Sequence, residues 1–296
     1  MADIEKVGVV GCGLMGRGIA QVCAAAGYET VVREIAREPL DAGMAALEKS
    51  LARAVERGKL EQEAMDATLD NLRGTTELAD LYEADIVIEA IVEDIAAKNE
   101  LFGQLDGGCP ETTIFASNTS SLTVTQMAAA TERPDRFVGL HFFNPVPVMK
   151  LVEVVRTGAT SDKTFDRAFA FAKSLGKEPV ACRDNSGFIV NRLLVPYMLD
   201  AIRAYEEGIG TIEDIDKGMT LGTGYPMGPF TLGDFVGLDT LYFITEIMFE
   251  EYHEKRFASP PLLKRMYQAG YHGRKTGRGF YDYSGETPVV SDFVKR

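Results

Sequence analysis

His141 and Glu153 stand twelve residues apart in HFFNPVPVMKLVEVV, with Asn144-Pro145-Val146-Pro147 between them. If that run makes a tight reversal, the carboxylate comes alongside the imidazole, fixes its tautomer and stabilises the imidazolium. The histidine then suits the role of a base working near neutral pH. Taken alone, His141 beside Phe142 and Phe143 reads more readily as a core histidine satisfied by one hydrogen bond. Its neighbours argue for chemistry. Glu89 and Glu93 follow the predicted strand DIVIEA, the run Ser117-Asn118-Thr119-Ser120-Ser121 follows TTIFAS, and His141 with Asn144 follows RFVGL. Ligands of an open parallel sheet lie beyond the carboxyl ends of its strands, so these groups converge on one edge. Ser121 or Thr123 would serve as an ordinary N-cap for the helix that follows, but one cap accounts for one hydroxyl and not for five polar residues. Asn191 lies in the apolar run FIVNRLLVPYML, where an unpaired buried amide costs ~1–3 kcal/mol; a backbone carbonyl, a water or a substrate oxygen must bind it.

A second constellation opens the chain. VGVVGCGLMGRGIA holds Gly11, Gly13 and Gly16 in the pattern GxGxxG, after a predicted strand and at the start of a predicted helix. The first glycine permits a tight turn, the second lets backbone approach a pyrophosphate, and the third packs helix on strand; the helix N-terminus adds partial positive charge. Leu14 and Met15 belong to the same cofactor loop. Glu34 ends the next strand, where a carboxylate accepts both hydroxyls of an adenosine ribose, which favours NAD over NADP. Arg33 leaves NADP open, since it can stack on adenine or hold a phosphate, and is equally well read as a solvated charge.

The elements that position these residues alternate strand and helix in the first half, as βαβ units do. Strands are predicted at 6–11, 29–34, 85–90, 112–117 and 136–142, with 150–156 and 178–184 extending the sheet. Residues 38–70 read as two charged amphipathic helices, an inserted helical hairpin. After residue 184 the segments 187–208, 211–222 and 228–252 read as helices, the first apolar nearly all round and so expected to be covered by a neighbouring helix or another subunit. The fold class is therefore an α/β Rossmann-type N-terminal domain (1–184) carrying the hairpin, followed by an all-α C-terminal domain (185–296) for substrate binding and dimerisation.

The composition narrows the partners. With 31 basic and 44 acidic side chains among 296 residues the net charge is −13, which disfavours nucleic acid and anionic membranes. A polyanionic ligand then needs a local basic patch, and Lys49, Arg53 and Arg57 recur at i, i+4, i+8 on one helix face, with Lys59 just beyond; a solvated basic face is the ordinary alternative. Cys12, Cys23, Cys109 and Cys182 lack CxxC spacing, which argues against zinc and disulfides and for a reducing cytosol. No apolar run reaches the ~18 residues of a membrane span, and the terminus MADIEKVGVV has no signal-peptide pattern, so a cytoplasmic protein without a metal is expected.

These motifs carry a resemblance. GxGxMGxGIA, ASNTSSL (116–122), HFFNPVPVMKLVEVV, GFIVNRLL (187–194), YPMGPF (225–230) and GRKTGRGFYDY (273–283), in this order, resemble the short-chain L-3-hydroxyacyl-CoA dehydrogenase family in its single-function form, over nearly the entire chain. The resemblance implies that His141 is the catalytic base, Glu153 its carboxylate partner and Ser120 the active-site serine. It implies that Asn191 holds substrate and that Asn118 and Asn144 lie beside the nicotinamide. Glu93 and Lys98 match cofactor contacts, and Lys275 matches one more weakly. The family's hairpin covers CoA, so Lys49, Arg53 and Arg57 become seats for its phosphates. One departure is Glu34, where the family often has Asp. The expected activity is NAD-dependent interconversion of (S)-3-hydroxyacyl-CoA and 3-oxoacyl-CoA, the four-carbon pair foremost, by a homodimer joined through its C-terminal domain. The rivals are a dehydrogenase of free hydroxy or sugar acids and a nicotinamide-binding protein without catalysis.

Overall fold

The computed structural model describes residues 4–295; the first three residues of the amino terminus and Arg296 lie outside the described residues. The chain divides into two compact units, Met1–Phe188 and Ile189–Arg296.

In the first unit β1 (Lys6–Val10), α1 (Leu14–Ala25) and β2 (Glu29–Arg33) are followed by the hairpin α2 (Arg37–Glu56) and α3 (Gln62–Asp70), then by β3 (Leu72–Thr75). Next come β4 (Ile86–Glu89), α4 (Ile95–Gly108), β5 (Ile114–Ser117), α5 (Val124–Ala128), β6 (Phe137–Phe142), β7 (Leu151–Arg156), α6 (Asp162–Ser174) and β8 (Glu178–Arg183). One eight-stranded sheet runs β3-β2-β1-β4-β5-β6-β7-β8. The first six strands are parallel, whereas β7 pairs antiparallel with β6 and β8 follows the direction of β7. Strands β4 and β6 are buried at every residue, as strands covered on both faces must be. Val9, Ile19, Ile88, Leu140 and Val154 pack on one face of the sheet, and Val10, Val87, Phe102, Phe115 and Phe137 on the other.

The helical hairpin is rooted and also self-supporting. Leu40 enters the sheet core, while Leu47, Leu51 and Met65 form a small cluster of their own between α2 and α3. The strand that the hairpin leads into, β3, was not expected from LRGT, which shows neither alternation nor β-branched enrichment; its partner β2 imposes the extended conformation from outside.

The second unit is helical: α7 (Val190–Glu206), α8 (Ile212–Thr223), α9 (Pro229–Val236), α10 (Leu238–Tyr252) and α11 (Pro261–Gln268) enclose Val195, Leu199, Phe230, Leu241, Phe257, Leu263 and Phe280. The segment 228–252, read as one helix, is two, because Gly237 breaks it at φ +102°. A two-residue antiparallel ladder, β9 (Tyr281–Asp282) with β10 (Val289–Val290), is added to the helical body. Two buried carboxylates account for much of the YPMGPF and GRKTGRGFYDY motifs. Asp216 caps α9 from α8, accepting from the N–H groups of Phe230 (2.8 Å) and Thr231 (3.0 Å) and from the Tyr281 hydroxyl (2.9 Å). Asp234 accepts from the N–H groups of Phe280 and Tyr281, both at 2.9 Å, and from the Tyr283 hydroxyl at 3.0 Å.

Burial pushes the Asp234 carboxyl up to about 6, against hydrogen bonds that favour its charge. A carboxyl whose folded value lies above its unfolded one binds its proton more tightly when folded; that stability is present below about pH 4 and lost as pH rises through about 6. The stability gap between the wild type and Asp234→Asn, from denaturant titrations of the intact chain, should therefore widen as pH falls from 7 towards 4, by up to about 3 kcal/mol. A gap that stays constant across this range would remove Asp234 as its source.

Candidate active site

The glycine loop lies where the strand order reverses, between the carboxyl ends of β1 and β4, which is where open α/β sheets bind ligands. Its glycines answer three different demands. Gly11 adopts φ +98°, and a Cβ there would lie 2.5 Å from the Ala90 carbonyl oxygen. At Gly16 a Cβ would meet the Gly11 carbonyl oxygen at 1.8 Å, so helix and loop touch through that position. Around Gly13 a Cβ would meet no protein atom within 4 Å, and this is the N-cap of α1, where no side chain caps the helix and no acid enters its first turn. The space and the unclaimed N–H groups suit a pyrophosphate.

Gly11, Gly13, Leu14, Met15, Arg33 and Glu34 line a cleft of about 760 Å³ together with Ala90, Ile91 and Val92. Glu34 accepts from Cys12 N at 2.8 Å and Ile35 N at 2.7 Å, so it braces the loop as well as facing the cleft; each oxygen retains a lone pair for a ribose hydroxyl. Arg33 Nε donates to the Thr76 carbonyl at 3.3 Å. The cysteines carry no activated thiol: burial pushes Cys12 and Cys109 up to about 11 and Cys182 to about 12. Among the described residues no cluster of His, Cys, Asp and Glu is arranged to hold a metal.

At the ends of β4 and β5, the five polar residues 117–121 separate into two sets. Ser117, Thr119 and Ser121 are buried, and their hydroxyls go to the two glutamates: Ser117 to Glu89 at 2.6 Å, Thr119 to Glu93 at 2.5 Å and Ser121 to Glu93 at 3.2 Å. The other set, Asn118 and Ser120, is half-buried. Asn118 Oδ1 accepts from Phe142 N at 2.9 Å, joining this loop to the strand that carries His141. Ser120 N donates to Glu93 at 3.2 Å. Lys98 is 1 % exposed, and its ammonium bridges Glu89 at 2.6 Å and Glu93 at 3.1 Å; any influence it has on a ligand passes through those carboxylates. Burial works to raise the pKa of Glu93, but the Lys98 charge and the bonds from Thr119, Lys98 and Ser120 outweigh it and hold the carboxyl below its ordinary value.

The cap of α5 is supplied from elsewhere than Ser121 or Thr123. Asp184 accepts from Val124 N at 2.9 Å and from Thr125 N and its hydroxyl at 2.6 Å, and Ser186 donates to the Ser121 carbonyl at 2.6 Å. Sequence reasoning missed both residues, since nothing local marks a cap sixty positions away.

His141 and Glu153 face each other across the β6–β7 ladder, in direct register. Nδ1 lies 2.6 Å from Glu153 Oε2, with the histidine 5 % and the glutamate 0 % exposed. An ionised carboxylate can only accept, so Nδ1 carries the proton and Nε2 is the basic nitrogen. Phe143 and Phe188 flank the ring at 4.5 and 5.5 Å between centroids. The reversal through residues 144–149 is tied by buried Lys177, which donates to the carbonyls of Val146 at 2.5 Å and Met149 at 2.9 Å; Lys177 also went unrecognised in the sequence. Asn144 is exposed on that turn.

The structure thus brings together His141, Glu153, Asn118, Ser120, Glu93 and Lys98, with the glycine loop and Glu34 along the neighbouring cleft. Lys49 and Arg53 lie on α2 and Arg57 just beyond its end; all three are exposed, and none makes an ion pair among the described residues. Two candidates belong to the second unit. Asn191 is half-buried in the first turn of α7, and Lys275 pairs with Asp239 at 2.5 Å.

Residues 6–185 match the family model described as the 3-hydroxyacyl-CoA dehydrogenase NAD binding domain, and residues 187–283 match that of the C-terminal domain. A 3-hydroxybutyryl-CoA dehydrogenase of Mycobacterium tuberculosis is 51 % identical over 96 % of this chain and all of the relative. The mitochondrial hydroxyacyl-coenzyme A dehydrogenase of Homo sapiens is 50 % identical over 95 % of this chain and 91 % of its own. The crystal structure of the (S)-3-hydroxybutyryl-CoA dehydrogenase of Ralstonia eutropha superposes with a TM-score of 0.91 at 43 % identity, covering 96 % of this chain and 100 % of that one.

The glycine loop makes two substitutions diverge. Gly13→Ala fills only open space at an extended backbone (φ −69°, ψ −166°), so the melting temperature should hold while dinucleotide affinity, read by fluorescence titration, falls at least tenfold. Gly16→Ala forces a backbone contact and should cost about 1–3 kcal/mol of stability by the overpacking rule. Equal stability losses in the two variants would contradict this division.

Proposed function

The chain belongs to the 3-hydroxyacyl-CoA dehydrogenase family, and on that premise we propose that it interconverts (S)-3-hydroxybutyryl-CoA and acetoacetyl-CoA, with NAD preferred to NADP. The observation that carries the reading is the buried His141–Glu153 pair, whose geometry gives an oriented base with a fixed tautomer. When bound, the nicotinamide supplies the hydride acceptor for oxidation at C3 and the donor for reduction. His141 takes the C3 hydroxyl proton at Nε2 in oxidation and returns it to the ketone oxygen in reduction. Glu153 stabilises the imidazolium between those events and keeps the ring from turning. Ser120 and Asn191 orient the substrate oxygens, and Asn118, Asn144, Glu93 and Lys275 hold the nicotinamide end of the cofactor.

Glu34 at the ribose end supports NAD, because a 2′-phosphate would be set against a carboxylate. The exposed cations Lys49, Arg53 and Arg57, unpaired among the described residues, support a CoA ester over a free hydroxy acid, since an acidic chain otherwise offers a polyphosphate little. The protein acts as a homodimer through its helical unit, whose exposed Leu193, Ile209, Leu221, Phe235 and Phe243 support such a contact. Four free thiols suit the cytoplasm.

Loss of reduced nicotinamide on adding acetoacetyl-CoA, with NADH and NADPH in parallel and free acetoacetate as control, tests the whole reading. Turnover with the thioester and NADH alone is expected; turnover of free acetoacetate at a similar kcat/KM would replace it with the free-acid reading. His141→Gln should lose roughly 10²–10⁴-fold in kcat, the worth of a general base, and Glu153→Gln about 10²-fold, both binding NADH as before. Replacing Lys49, Arg53 and Arg57 together by Ala should raise KM for acetoacetyl-CoA several-fold at low salt and less at high salt. A salt-independent KM would remove the basic face from substrate binding.

A further inference from the structure

Glu89, Lys98 and Glu93 place two carboxylates on one ammonium, and we propose that Glu89 sets the charge beside the nicotinamide and so the preference between oxidised and reduced cofactor. The inference rests on the cofactor reading above. Glu89 is 0 % exposed, and its oxygens accept from Lys98 Nζ at 2.6 Å, Ile91 N at 2.7 Å and Ser117 Oγ at 2.6 Å. Three donors and no acceptor face it, as an ionised carboxylate requires.

A buried charge of this kind needs a reason. A glutamine of the same shape would keep most of these contacts at a smaller desolvation cost, and buried ion pairs are often no more stabilising than neutral replacements. What the glutamine would lack is the charge. Lys98 lies 2.6 Å from Glu89 and 3.1 Å from Glu93, so one ammonium serves two carboxylates and the cluster keeps one net negative charge. Glu93, with a side chain 32 % exposed, is the exposed end of the cluster. Glu93 accepts from Ser120 N at 3.2 Å, and the same loop is bonded through Asn118 to Phe142 N at 2.9 Å, next to His141, so the cluster lies toward the proposed base and the nicotinamide it would serve. Oxidised nicotinamide carries a positive charge and reduced nicotinamide none, so a net negative wall favours the oxidised form.

Calorimetric titration of the full-length protein with NAD and with NADH tests this. In Glu89→Gln the cluster becomes neutral, and affinity for NAD should fall relative to that for NADH by about fivefold, the order expected for one partly screened charge. Should Glu89→Gln fail to fold, Glu93→Gln removes the same unit of charge from the exposed end and should move the ratio in the same direction. An unchanged ratio in the folded variant, or equal weakening of both cofactors, overturns the proposal and leaves Glu89 a purely positional role. A wild type that binds neither cofactor overturns the cofactor reading itself, and this inference with it.

Discussion

A histidine and a glutamate twelve residues apart meet inside this protein because β7 runs against β6 while the six preceding strands run parallel. In a sheet side chains alternate between faces, so register decides everything: a slip of one residue would send Glu153 to the opposite face and leave His141 without its partner. The pairing is costly to assemble, since a carboxylate with no exposure must be desolvated, and it persists because Nδ1–H meets it at 2.6 Å. Lys177 beneath the reversal, Asn118 bonded to Phe142 and the rings of Phe143 and Phe188 all hold that register or the imidazole within it.

The polar loop after β5 follows the same logic of complete satisfaction. Three of its hydroxyls and the amide of Ser120 are spent on the carboxylates of Glu89 and Glu93, and these in turn are spent on Lys98. A loop so fully bonded presents Asn118 and Ser120 in a fixed geometry, which is what positioned groups need if their alignment is not to be won anew at each binding event. The glutamates thus shape the site through the loop they organise.

Much of this was legible in the sequence, for reasons that can be named. The strands β1, β4 and β6 announce themselves as short apolar runs bounded by glycine or polar residues, and the glycine loop by its spacing. The spacing of His141 and Glu153 allows them to meet if the Asn-Pro-Val-Pro run reverses the chain, and the antiparallel β6–β7 pair shows that it does. The parts that stayed hidden depend on partners distant in the chain. LRGT becomes β3 only because β2 lies beside it, and the break at Gly237 sits inside an otherwise continuous helical pattern. Lys98 carries no sequence mark of burial, as lysine is ordinarily exposed, and its two acceptors come from β4 and the loop beyond. Tertiary context decided each of these.

The capping of α5 by Asp184 has a consequence for how the protein is made. The amides of Val124 and Thr125 leave the ribosome sixty residues before the carboxylate that binds them, an interval of several seconds at ordinary synthesis rates. Until β8 has emerged and carried Asp184 and Ser186 into place, the serine loop lacks its closure. This edge of the sheet is therefore among the last parts of the first unit to be set, and a nascent or prematurely ended chain can hold its glycine loop while leaving the serines unordered.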